Sequence, residues 1–131
     1  MPLQPLLERA IDQIPECQAA AVMDLATGMV LASHTLDADA AQHLDALLPA
    51  SVELFEERSL AHVDRALSAT QRGSGAASRE VLLVGNRRIQ LFLRGKKNQD
   101  IVLVTLVDSR VGVSEVLPEA RRVLGAVEGA L

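Results

Sequence analysis

The chain has 131 residues, 49% of them hydrophobic but only 2% aromatic, Phe55 and Phe92, with 13 basic against 17 acidic side chains and a net charge of −4. A chain of this length buries roughly two-thirds of its unfolded surface, so residues 1–131 are expected to form a single domain with an aliphatic core. The missing aromatics exclude a stacking platform for single-stranded bases and a cage for quaternary ammonium groups, and the acidic balance argues against nucleic acid as a partner.

In chain order, Leu3, Leu6, Leu7, Ala10, Ile11 and Ile14 recur at helical spacing, with Pro5 in the first turn and Pro15 as the stop, so the spacing predicts an amphipathic helix over residues 3–14. From Cys17 the pattern becomes that of a β-hairpin: Cys17 to Asp24, a turn closed by Gly28, then Met29 to His34. Between Asp37 and Ala69 there is no glycine. Ala41, Leu44, Leu48, Val52, Phe55, Val63 and Leu67 roughly follow a 3.6-residue period, which predicts a long helix capped by Asp37 and kinked or split at Pro49. A second stripe, Leu47, Ala50 and Leu54, makes its apolar surface wider than one sheet contact requires.

Residues 70–79, with Gly73-Ser74-Gly75, read as a loop. Three strands follow, Glu80–Gly85, Arg88–Arg94 and Ile101–Val107, joined by Asn86-Arg87 and by the segment Gly95 to Asp100. The last is apolar on both alternating faces, which places it inside a sheet covered on both sides. Val113, Val116, Leu117, Ala120, Val123, Leu124 and Val127 mark a C-terminal helix ending near Gly129, with Pro118 in its first turn. The order predicts an α/β (α+β) three-layer domain, with terminal helices on one face of a five-stranded antiparallel sheet and the middle helix on the other.

Signatures of catalysis are missing. Neither Gly73-Ser74-Gly75 nor Gly95-Lys96 opens a helix that would receive a phosphate. His34, His43 and His62 have no metal-ligand spacing, and Glu53, Glu56, Glu57 and Asp64 read as a solvated helix face. Cys17 is the one cysteine, which rules out an internal disulfide and suits a small half-buried hydrophobe better than a nucleophile. No catalytic, cofactor or metal residues are assigned, and an enzyme is not expected. No apolar run approaches the roughly 20 residues of a membrane span, and the N-terminus does not read as a signal segment, so a cytoplasmic location is expected.

The charges are segregated. Residues 1–70 carry 3 basic and 11 acidic side chains, and residues 71–131 carry 10 basic and 6 acidic. Five basic residues, Arg87, Arg88, Arg94, Lys96 and Lys97, fall at the two ends of the fourth strand with no acid among them. Such side chains commonly decorate hairpin ends, and they are also the candidates for contact with an acidic surface, on a partner protein or on the acidic helix of a second copy. If the sheet runs in the order 2-1-5-4-3, Val81, Leu82, Leu83 and Val84 form an outer strand that is apolar on both faces and contains no Pro or Lys. Such an edge is normally paired or covered. Pairing with its own copy would also bring Leu47 and Leu54 of two long helices together, which predicts a homodimer.

The hairpin Asp24-Leu25-Ala26-Thr27-Gly28 followed by Met29-Val30-Leu31-Ala32, the long helix, the strands Glu80–Val84 and Ile89–Leu93, and the strand Ile101–Val107 leading to a terminal helix together resemble the Roadblock family of dynein light chains and bacterial or archaeal regulators of small GTPases. The likeness spans roughly Leu7 to Val127, and profilin and longin domains share related topology. The sequence departs from the commoner bacterial pattern at Arg110-Val111-Gly112-Val113, where an Asn-x-Gly turn often stands, and at Pro49 and Pro118. The resemblance implies a homodimer through the long helix and third strand. It also implies a non-enzymatic scaffold or regulator that binds a small Ras-like GTPase or a motor or signalling complex, with no catalytic residue to carry over. The alternative from another class is a small-molecule sensor with a pocket between sheet and helices, for which Gln90 and Thr105 are the inward polar candidates.

Overall fold

The computed structural model describes residues 2–56, 65–66 and 80–131. The elements are α1 (Leu3–Gln13), β1 (Cys17–Asp24), β2 (Met29–Thr35), α2 (Ala38–Leu54), β3 (Glu80–Val84), β4 (Arg88–Arg94), β5 (Ile101–Asp108) and α3 (Val113–Ala130). The five strands form one sheet in the order β2-β1-β5-β4-β3, and every pairing is antiparallel.

Strand alternation divides the core into two layers. Ala20, Val22, Ile89, Leu91, Leu93, Leu103 and Val107 face α1 and α3, which contribute Leu7, Ile11, Val116, Ala120, Val123 and Val127. Ala19, Ala21, Met23, Phe92, Val102, Val104 and Leu106 face α2, which contributes Ala40, Leu44 and Leu48. The register shift between Cys17 and Ala19 explains why Cys17 shares a face with Ala20 despite their odd spacing. β5 is buried along both faces and lies mid-sheet, as its two-sided apolar pattern predicts. β1 is equally enclosed, and its alanines leave room for helices on both sides.

The helix ends have local causes. The Asp37 side chain accepts a hydrogen bond from the Ala40 N–H at 2.8 Å and so caps α2. Pro49 neither splits nor ends this helix, which runs through it to Leu54. The helix does stop there, short of the expected run to Ala69. Phe55 leaves helical geometry at φ −104° and ψ 16°, its side chain packs into the α2-side core, and the Glu56 N–H turns back to the Glu53 carbonyl. Val63 and Leu67, also read on that stripe, lie outside the described residues, as do His62, Asp64 and Gly73-Ser74-Gly75. In α3, Pro118 falls in the second turn and not the first, because the helix already begins at Val113.

Two glycines are required by the backbone. Gly28 takes φ +74° in the β1–β2 turn. At Gly95 a Cβ would stand 2.3 Å from the Asn98 carbonyl oxygen, so no side chain fits between β4 and the turn that follows. Among the described residues no helix is long and apolar enough to cross a membrane.

Candidate functional site

β3 is an outer strand, as the order 2-1-5-4-3 requires. Among the described residues it pairs with β4 alone, from Glu80 opposite Leu93 to Val84 opposite Ile89, so that no described strand lies on its other side. Val81 packs against the α2-side core and Leu82 against the α1/α3-side core, whereas Leu83 is 44% and Val84 69% exposed. The strand therefore shows apolar side chains on both faces of an outer edge, with no bulge, proline or lysine to protect it. Leu47 and Leu54 are half-buried against the α2-side core, and part of each remains at the surface with half-buried Ala50.

The direction of α2 relative to this edge follows from three contacts. The Arg88 guanidinium pairs with Asp39 and its Nε donates to the Gln18 side chain at 2.7 Å. Gln90 and His43 meet through their side-chain nitrogens at 3.2 Å. At the other end of β4, the Arg94 guanidinium lies over the Phe55 ring, 5.8 Å from its centre, and donates to the Gln99 carbonyl. α2 thus runs in the same direction as β4 and opposite to β3, with its N-terminal turns at the Arg88 end of β4 and Phe55, just past its C-terminal end, at the Arg94 side chain.

The five basic candidates separate into two groups. Arg87 and Arg88 sit at the β3–β4 turn on a groove of about 450 Å³ lined by His43, Gly85, Asn86, Arg87, Arg88 and Gln90. Arg88 is committed to Asp39 and Gln18, while the exposed Arg87 side chain has no ion-pair partner among the described residues. Arg94, Lys96 and Lys97 stand at the opposite end. There the Glu128 carboxylate accepts the backbone N–H groups of Lys96, Lys97 and Asn98 at 3.2, 2.7 and 3.0 Å and ties that turn to α3. Burial raises the Glu128 carboxyl pKa, but these three donors and the Lys97 charge outweigh it and hold the group below the ordinary glutamate range. Glu80 is likewise held low, chiefly by the hydrogen bonds it accepts from Arg121 at 2.7 Å, so the first residue of β3 is fastened to α3.

The two polar candidates for an inner pocket do not come together. Gln90 pairs in register with Leu106 and faces α2, whereas Thr105 pairs with Leu91 and faces α1 and α3. Thr105 is fully buried and its Oγ1 has no hydrogen-bond partner. Alternation places them on opposite sides of the sheet, so they cannot share one ligand. Cys17 is 3% exposed, and burial pushes its thiol up to about 12, against nucleophilic use. No group of three or more metal-ligating side chains occurs among the described residues.

One exposed apolar feature was not singled out from the sequence. Met29, Val30 and Leu31 of β2, at the opposite outer edge, are 61%, 42% and 41% exposed. The strand order and the run of three apolar residues together carried that signal. β2 has a register shift at Leu31, which interrupts its ladder with β1 and partly protects the edge.

No protein-family model and no curated protein matches the sequence. Solved structures do match. A Roadblock/LC7 domain from Streptomyces avermitilis is 18% identical, with a TM-score of 0.67, over 99% of this chain and 98% of that one. Myxococcus xanthus MglB is 11% identical, with a TM-score of 0.72, over 95% of this chain and 84% of that one. A Schizosaccharomyces pombe profilin is more distant, 14% identical with a TM-score of 0.55, over 97% of each chain. At these identities the likeness establishes the fold: the chain has the Roadblock/LC7 fold, with the related topology of profilin.

Proposed function

We propose that this protein is a non-enzymatic homodimeric interaction module that docks onto and regulates a small Ras-like GTPase in the cytoplasm. The observation that carries the reading is the outer strand β3, apolar on both faces with no described partner on its free side, together with the apolar surface that half-buried Leu47 and Leu54 leave on α2. An unprotected strand of this kind gains backbone hydrogen bonds and buries apolar surface when a two-fold copy pairs with it. The shared fold with a Roadblock/LC7 domain and with MglB supports the class of function, and the resemblance of the sequence to regulators of small GTPases supplies the partner.

Regulation by such a module acts through shape and charge. A surface that binds one arrangement of a GTPase's switch loops more tightly than another shifts the population toward it without contributing a reacting group. The test is affinity capture with the tagged full chain from native extract, loaded in parallel with GDP and with a non-hydrolysable GTP analogue. The expected result is enrichment of a small GTPase, with a difference between the two nucleotides. No GTPase in either arm overturns the reading. A sensor function would instead show as thermal stabilisation by a metabolite with no protein partner present.

A further inference from the structure

The groove at the β3–β4 turn is walled by hydrogen-bond donors, and no carboxylate is among its lining residues. Gly85, Asn86 and Arg87 come from the turn, Arg88 and Gln90 from β4, and His43 from α2. Arg88 gives its Nε–H to Gln18 and an Nη2–H to Asp39, and the rest of its guanidinium donors stay unspent. Asp39 offsets one of the two guanidinium charges and leaves that of Arg87 without a described carboxylate. The exposed Asn86 carboxamide likewise has no partner among the described residues. At the Gln90–His43 contact the amide nitrogen can only donate, so the imidazole accepts at Nε2 and its neutral form carries a proton on Nδ1 as one more donor.

The turn is preset for a ligand. The Ser109 hydroxyl donates to the Asn86 carbonyl at 2.9 Å, and the Ser109 N–H donates to the Arg87 carbonyl at 3.0 Å. These bonds fix the backbone and leave the Asn86 and Arg87 side chains available, which lowers the ordering cost of binding. Gly85 adds no side chain to the wall, and a Cβ there would come within 3.2 Å of the Arg88 carbonyl oxygen. Such a donor set selects an oxyanion. A planar carboxylate is satisfied by one bidentate guanidinium, whereas a phosphate presents three acceptor oxygens, which suits donors carried on a turn, a strand and a helix. The volume of about 450 Å³ exceeds the needs of phosphate alone and lies in the range of small-molecule sites. No aromatic or aliphatic side chain lines it, so the group that carries the phosphate is small and polar. We infer that this groove binds the phosphate of a small polar phosphomonoester, with Arg87 supplying the uncompensated charge, Asn86 and Arg88 further donors, and Gln90 and His43 the contacts to the carrier. The inference goes beyond the docking reading and does not rest on it, because it uses the turn and not the β3 edge.

The test is calorimetric titration of the full chain at about 50 mM salt and about pH 7.5, where a phosphomonoester carries nearly two charges. Glycerol phosphate is expected to bind saturably with a Kd of about 1 mM or below, at least as tightly as inorganic phosphate and about tenfold tighter than acetate. Arg87→Gln is expected to weaken glycerol phosphate about tenfold, and Asn86→Ala to weaken it a few-fold. Arg9→Gln removes the same charge from exposed α1 and is expected to leave the affinity unchanged, which separates a site from the general field of the protein. Arg87 and Asn86 side chains make no described contact, so both variants are expected to keep the wild-type thermal midpoint. No saturable binding at about 20 mM glycerol phosphate, or equal losses in Arg87→Gln and Arg9→Gln, overturns the site. Acetate binding as tightly as phosphate overturns the assignment of the anion, and inorganic phosphate binding more tightly than glycerol phosphate overturns the carrier. Each of these failures leaves GTPase capture and the homodimer to their own tests.

Discussion

Replacing Glu128 by Gln should cost about 1 kcal/mol of stability at neutral pH, and the loss should shrink in acid. One oxygen of Glu128 accepts from the Lys97 and Asn98 N–H groups at 2.7 and 3.0 Å, and the other accepts from Lys96 at 3.2 Å. Hydrogen bonds to a charged acceptor contribute about 1.5–3 kcal/mol each when buried, but this carboxylate is only half-buried and shared among three donors, so the whole clamp is worth about 2 kcal/mol. Glutamine keeps one oxygen for the closer pair and turns an NH2 toward the Lys96 N–H, which removes about half of that. The native carboxyl lies below its ordinary pKa. Its contribution is therefore complete above the unfolded-state value and is lost as pH falls through the native one. Urea titration of both proteins at matched concentration, at about pH 7 and about pH 3, reads the difference as a midpoint shift at constant slope. A gap near zero at neutral pH, or one of equal size in acid, would refute the reasoning.

Thr105→Val removes a fully buried hydroxyl that has no partner and should stabilise the fold by about 1 kcal/mol, seen as a rise in thermal midpoint; destabilisation would mean that Oγ1 is satisfied in solution. Cys17, with its thiol pushed up to about 12 and almost no exposure, should resist a disulfide reagent at neutral pH in the native state and react fully in denaturant, and rapid native labelling would contradict its burial. Gly95→Ala forces a Cβ against the Asn98 carbonyl and the Glu128 carboxylate and should destabilise by about 2 kcal/mol, read in the same urea titration, where an unchanged midpoint would show that the turn yields freely.

The layers of this fold are legible wherever a pattern repeats. The two-sided apolar run Ile101–Val107 places β5 inside the sheet, and the stripes of α1 and α3 assign them to one face. The exposed edge is legible for the same reason, since Val81–Val84 has neither a polar face nor an edge-protecting residue. What the pattern misses is set by contacts distant in sequence. Apolar spacing runs on past Leu54, but Phe55 satisfies the core by leaving the helix, so periodicity alone overextends α2. Arg87 and Arg88 are adjacent and chemically identical, yet one meets Asp39 and Gln18 across the fold while the other stays free of a described carboxylate. Gln90 and Thr105 both read as inward polar residues, but strand register sends them to opposite layers. The Glu128 clamp joins a helix to a turn some thirty positions earlier, and no local spacing announces it.

The central claim, self-association through the outer β3 edge, is tested most directly by sedimentation of the wild-type chain and of Leu83→Asp at micromolar concentration. The account predicts a wild-type species of twice the 14.0 kDa chain mass and a Leu83→Asp species at the chain mass. A wild-type chain that sediments at 14.0 kDa, or a dimer that survives Leu83→Asp, would contradict it.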